Sequence, residues 1–381
     1  LVSNDRWIEY RRDDERFRWF AAGRVRVRHL LPGGALVVLE EGAAGAHVVR
    51  LVTGVNDIFV SIGVVILLLA AGGIGQQFAN AFAARPVMDI FDPSEAQMDA
   101  FIAADRLRTG LQMILGGVLV SATSWLLAEF FTRRKHMALP SILLLLAFVG
   151  AVFAAIIGVG NVLGVMASDT SSAVLISASG LITAGAAWLH WRRFMVPITV
   201  AAGTGALAVT AIAIIAAVLG EPGETVILSL VLVSGLAIFA LAMRWDMTDR
   251  DRTTRRSDVA FWLHLLAAPM IAHPLFYSLG VTQGDNIGAG AALAVLAIYI
   301  VFGIVALSVD RRALLVSALA YVLIALTYLF REFGAVELNF ALTALVIGSA
   351  LLTLSALWTP IRRAVVNGLP DNLQARLPAT A

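Results

Sequence analysis

The chain has 381 residues, no cysteine, a formal charge of +2, 59% hydrophobic residues and only 14% charged ones. A soluble domain is roughly 45–50% apolar and roughly 25% charged, and one of this size cannot hide so much apolar surface. A soluble enzyme, a disulfide-stapled secreted domain and a disordered chain are therefore excluded. The composition predicts an all-α polytopic membrane protein. Without cysteine there is no thiolate metal site, redox pair or thiol nucleophile. A charge of +2 carries no nucleic-acid signal, so the basic residues, all arginine except Lys135, have to be read by position.

Residues 1–55 form an arginine-rich segment ahead of the first apolar span, with no cleavable signal. Asp5 to Phe20 is dense in charge with Trp7, Ile8, Phe17, Trp19 and Phe20 interspersed, which predicts a surface helix. Arg24, Val25, Arg26, Val27 and Arg28 alternate with the period of a short strand. The stretches 35–39 and 47–52 are candidate partners for it. Arg24, Arg26, Arg28, Trp7 and Trp19 make a basic, aromatic patch suited to anionic lipid or to a protein partner. The plainer alternative is a solvated cap that orients the first span.

A bilayer core of about 30 Å needs roughly 20 apolar residues per helix. Ten such runs follow, near 57–80, 109–131, 140–164, 170–190, 197–219, 225–243, 259–280, 287–308, 313–330 and 336–358. With the N-terminus cytoplasmic, 24 basic residues fall in cytoplasmic segments and four (Arg85, Arg106, Arg108 and Arg331) on the opposite side. This asymmetry is the positive-inside rule. It predicts ten spans in a domain over 56–360, both termini inside, and a cytoplasmic tail over 361–381.

Two connectors stand out. The outside loop 81–108 is acidic, and Asp92, Pro93 and Glu95 predict a helix start with Asp92 as N-cap, running into the second span. The cytoplasmic loop 244–258 mixes five arginines with Asp246, Asp249, Asp251 and Asp258, which predicts internal pairing and a cap for the seventh span from Ser257 or Asp258.

Ionisable groups inside a bilayer are costly and mark function by default. Asp57 and Glu129 sit at the inner ends of spans, and Asp285 and Glu337 at the outer rim. His264 and His273, both on the seventh span, are the titratable groups read as lying deep. No carboxylate is within sequence reach of either. Nine residues separate them, about 900° around a helix of 3.6 residues per turn, so they point to opposite sides. Pro269 and Pro274 each remove a backbone donor and predict kinks whose freed carbonyls need partners. His273 and Tyr277 share a face one turn apart. His273, Tyr277, His264, Pro269, Pro274 and Asn161 are thus the candidate ligand or transport residues. Gln76, Gln77, Asn80, Gln112, Asn161 and Asn339 fall in the outer third of the spans, where they suit either a shallow vestibule or interhelical hydrogen bonds. Gly160 with Gly164, Ala201 with Gly205, and the Gly116–Gly117 pair predict close helix packing. No catalytic set, metal motif or cofactor fingerprint is present. Ten spans allow an inverted five-plus-five repeat, but the two halves share no pattern.

The string Arg50–Val60 entering the first span, residues 261–274, residues 310–315, and the ending Trp358-Thr359-Pro360-Ile361-Arg362-Arg363 with Leu377-Pro378 together resemble a family of uncharacterised proteobacterial multi-spanning inner-membrane proteins. The resemblance covers roughly residues 50–380 and implies a Gram-negative inner-membrane location, with no activity attached. Residues 1–49 depart from it. The function expected from the sequence is a non-enzymatic subunit or scaffold of a membrane assembly, with the bilayer and either other membrane proteins or further copies of the chain as partners. A transporter with its site on the seventh span, and a lipid-modifying enzyme using His264 or His273 as base, are the alternatives.

Overall fold

A computed structural model of the protein describes residues 8–9, 25–30, 36–40, 55–83, 94–165, 168–220, 222–250, 252, 254–281, 288–332, 339–374 and 377–378. The chain divides into two units, Leu1–Val49 and Arg50–Ala381.

In the first unit, β1 (Ile8–Glu9), β2 (Val25–Leu30) and β3 (Leu36–Glu40) form an antiparallel sheet in the order β1-β2-β3. The alternating arginine segment is β2, and its partner is the stretch expected near 35–39, with Val27 opposite Val38. Ile8 and Glu9 correct the expected surface helix, because they pair as a strand with Val27 and Arg26. Trp7, Trp19, Arg24 and the stretch 47–52 lie outside the described residues.

The second unit is helical: α1 (Val55–Phe82), α2 (Glu95–Phe131), α3 (Ala138–Val162), α4 (Asp169–Phe194), α5 (Ile198–Leu219), α6 (Glu224–Met247), α7 (Arg255–Ser278), α8 (Ala289–Val309), α9 (Ala313–Glu332), α10 (Asn339–Ala356), α11 (Trp358–Asn367) and α12 (Asp371–Gln374). Among the described residues nine helices, α1 to α9, are long and apolar enough to cross a membrane. The pair α10 and α11, bent by 75° at Leu357, makes a tenth span if counted together. Helices are the natural solution for such runs, since in lipid every backbone group must be bonded within its own segment. Leu69, Phe82, Leu126, Leu163, Val218 and Leu352 are each at least 70% exposed. In water each would forgo roughly 1.5–3 kcal/mol of burial; against lipid that penalty vanishes.

The most extensive helix contacts are α2 with α3, α4 with α5, and α6 with α7, each pair joined by a short turn at the arginine-rich end of the bundle. Glycine sets the first of these distances: a Cβ on Gly117 would lie 2.6 Å from the Ala151 carbonyl oxygen. Gly116 faces α1, where a Cβ on Gly75 would strike its backbone at the same distance. Gly164 is not a packing glycine as expected. It sits at φ +68° just past α3, where Val165 N–H donates to Gly160 and closes the helix end.

α2 is 37 residues long, about 55 Å at 1.5 Å per residue, so it outruns the hydrocarbon core. Its N-cap is Ser94, which exchanges hydrogen bonds with Gln97, and not Asp92. Carrying both prolines, α7 runs unbroken from Arg255 to Ser278 and is the most enclosed span, with 56% of its apolar window buried against 17–39% for the others. The main core gathers around it, drawing Leu263, Ala267, Ile271 and Phe276 together with Ile238 of α6, Val295 of α8 and Val322 of α9.

Candidate functional site

A buried polar cluster lies where α6 ends and α7, α9 and α11 begin. α6 continues past the residues read from sequence as its end, and this carries Asp246 into the bundle at 1% exposure. His264, three turns into α7 and 2% exposed, meets it with Nε2 2.9 Å from Asp246 Oδ2. Arg311, from the turn between α8 and α9, closes the other side: its Nη2 donates to Asp246 Oδ1 at 2.6 Å and its Nε to Oδ2 at 3.4 Å. The same Nη2 donates to the Ser257 carbonyl at 3.0 Å. One buried carboxylate therefore ties α6, α7 and the α8–α9 turn together.

The partner carboxylate that the sequence did not supply to His264 is thus Asp246, 18 residues away. The sequence puts Asp246 in a loop, and α6 runs past that boundary to Met247. With both Asp246 oxygens accepting from Arg311, the His264 ring donates through Nε2, and Nδ1 is left buried without a hydrogen-bond partner. Beside it lies a narrow, mostly apolar crevice lined by Phe239, Val305, Ala306, Val309, Ala313 and Leu314.

A second carboxylate extends the network. Asp310 caps α8 in the left-handed region, φ 58°, and accepts from Arg252 Nη1 at 2.5 Å and from Trp358 Nε1 of α11 at 2.6 Å. Arg362, one turn along α11, lies 3.7 Å from it and donates through Nη2 to the Pro378 carbonyl at 2.7 Å. Arg250 donates to the Leu377 carbonyl at 2.9 Å. The segment expected as a tail is in this way fastened to the bundle, with Val366 and Leu377 buried. Burial, with the Arg311 charge beside it, pulls the Arg252 guanidinium below its ordinary value, yet a guanidinium stays cationic at neutral pH. Within the loop 244–258, Arg252 and Asp246 both reach across to the 310–311 turn, while Asp249 accepts from Thr254 and Ser257 of the same loop. The α7 cap is Thr254 rather than Ser257 or Asp258. Its hydroxyl accepts from Arg256 N–H and donates to Asp249 Oδ2, which also accepts from Ser257 N–H.

His273 does face away from His264. It is exposed, with Nδ1 2.8 Å from the Tyr321 hydroxyl of α9. Tyr277 donates to Glu224 Oε2 of α6 at 2.6 Å. The two residues share a face of α7 but bind different helices. Pro269 lies between the two histidines on α7 and is exposed, whereas Pro274 directly follows His273 and is buried. Asn161 is remote from both and contacts Met113 Sδ at 3.6 Å. Asn80 accepts from Arg108 at 3.1 Å and Gln112 at 2.7 Å, the interhelical bonding offered as the alternative to a vestibule. The side chain of Asn339, and Asp285 and Glu337, lie outside the described residues.

Sequence reasoning missed His190. It is 1% exposed and enclosed by Trp125, Phe148 and Phe194, with ring centroids 4.5–6.0 Å away. Its Nδ1 lies 3.5 Å from Thr199 Oγ1, and Nε2 is buried without a partner. The signal that could have found it is the spacing of Trp125 and Glu129 on one helix against His190 and Arg193 on another. Among the described residues no three His, Asp or Glu side chains converge to hold a metal ion. Compared with protein-family models, curated proteins and solved structures, the chain matches none.

Proposed function

We propose that this chain is an inner-membrane protein with both termini cytoplasmic, working as a non-enzymatic structural subunit of a membrane assembly. One observation carries the reading: Asp246, His264 and Arg311, with side chains 1%, 2% and 11% exposed, are committed to one another and to the turns between helices. A charge network used this way fixes helix register. The reading is tested by crosslinking in native membranes followed by purification in mild detergent. A complex of fixed stoichiometry is expected. A monodisperse monomer that moves a solute into proteoliposomes overturns it.

The transporter reading is favoured by a different observation, the hydrogen bonds of His273 and Tyr277 to α9 and α6 at the other end of the most enclosed span. On that reading His273→Ala and Tyr277→Phe each abolish uptake by the reconstituted protein while leaving its melting temperature unchanged. Normal uptake by both variants removes the site.

A further inference from the structure

The turns α2–α3 and α4–α5 meet at the arginine-rich end. Arg193 grips Glu129 through Nε at 2.6 Å and Nη2 at 2.9 Å, and Arg133 reaches the same carboxylate at 3.3 Å. This contact gathers Arg133, Arg134, Lys135, Arg192 and Arg193, all exposed, around a single acid. Glu129 is spent on Arg133 and Arg193. Arg134, Lys135 and Arg192 have no carboxylate within ion-pair distance among the described residues. Neither α3 nor α5, which start here, bears an acidic residue in its first turn.

The base of this patch is packed with rings. Trp125, Phe148, His190 and Phe194 interlock beneath it, and Ser141 donates to the Met137 carbonyl in the turn itself. Its border is aromatic: Lys135 Nζ lies 5.7 Å over the Phe130 ring and the Arg192 guanidinium 5.0 Å over Trp188. Leu126, Phe130, Trp188 and Leu189 are 43–70% exposed on the adjoining turns of α2 and α4. At each of these two joined turns, cations without a carboxylate among the described residues, an aromatic ring and exposed apolar helix follow one another, an order that matches the phosphate, glycerol and acyl layers of a lipid leaflet.

We propose that this surface binds an anionic phospholipid, its phosphodiester held by Arg134, Lys135 and Arg192 and its acyl chains lying against the exposed apolar turns of α2 or α4. The proposal rests on the reading that the chain spans a membrane.

The test uses the full chain in nanodiscs and vesicles of phosphatidylcholine alone or mixed with phosphatidylglycerol, with retained lipid counted by native mass spectrometry in detergent. The wild type should keep phosphatidylglycerol in preference to phosphatidylcholine. The triple variant Arg134→Gln, Lys135→Gln, Arg192→Gln should lose affinity on the order of 100-fold, about fivefold per cation. A matched triple at the same end, Arg244→Gln, Arg255→Gln, Arg256→Gln, should keep it, and Arg134→Lys with Arg192→Lys should restore most of it by keeping the charge. Equal retention by the two glutamine triples, or equal binding of phosphatidylcholine, overturns the proposal. Inorganic phosphate or glycerol phosphate competing as well as the lipid overturns it in favour of a soluble anion site. A wild-type chain that floats with both vesicle types but keeps no phosphatidylglycerol defeats this proposal alone. One that floats with neither defeats the membrane reading beneath it.

Discussion

The two buried histidines divide the bundle into contrasting regions. His190 sits in a box of Trp125, Phe148 and Phe194, with one weak polar neighbour in Thr199. His264 sits against the Asp246 carboxylate, which the Arg311 guanidinium holds from the other side. In the first region helices are located by glycine contact and ring packing, and in the second by charge. Packing tolerates exchange of one apolar shape for another of the same volume, whereas a buried ion left without its partner is heavily penalised. The same residue type is therefore expected to be dispensable in one region and indispensable in the other.

The largest effect should come from Arg311→Ala. It strands Asp246 beside His264 and should cost about 3–5 kcal/mol, read as a lowered melting temperature or lower denaturant midpoint in detergent. Replacing Asp246, His264 and Arg311 together with apolar residues of similar volume should recover most of that loss. If the triple is as unstable as Arg311→Ala, the cluster is not acting as a charge tie.

In the packed region, Gly117→Val drives a side chain into the Ala151 backbone and should cost about 1–3 kcal/mol by the same melt. An unchanged midpoint would show that α2 and α3 are not located by that contact. Thr254→Ala, which removes the α7 cap, should cost about 1 kcal/mol, and hydrogen exchange should rise at the first turn of α7 before anywhere else in that helix. The smallest change is expected from His190→Phe. An aromatic ring of similar size replaces a buried nitrogen without a partner, so the stability should change by less than the roughly 1 kcal/mol of Thr254→Ala. A collapse there on the scale of Arg311→Ala would erase the contrast between the regions.

Much of the fold is legible along the chain because a membrane span is a local property. About 20 apolar residues between polar turns specify a helix without reference to any other segment, so α1 to α9 fall where the runs were read. The boundaries that shifted did so through local chemistry present in the sequence: Ser94 with Gln97 caps α2, and Thr254 stands ahead of Ser257 as the cap of α7. The end of the tenth span shifted for a non-local reason. The chain turns by 75° at Leu357 so that Trp358 and Arg362 can reach Asp310, a residue with which they share no sequence pattern.

The site was legible only in its ingredients. Sequence alone determined an apolar helical chain, the crowding of arginine on alternate connectors, and two histidines facing opposite ways on the seventh span, since these follow from composition and helical period. It did not determine that Asp246 enters the bundle, that Arg311 from 65 residues away neutralises it, or that Glu129 draws the two basic turns together. Those pairings are settled by which helix ends meet in three dimensions. A charge's worth depends on the dielectric and the partner that the folded bundle gives it, and neither is written in the neighbouring residues.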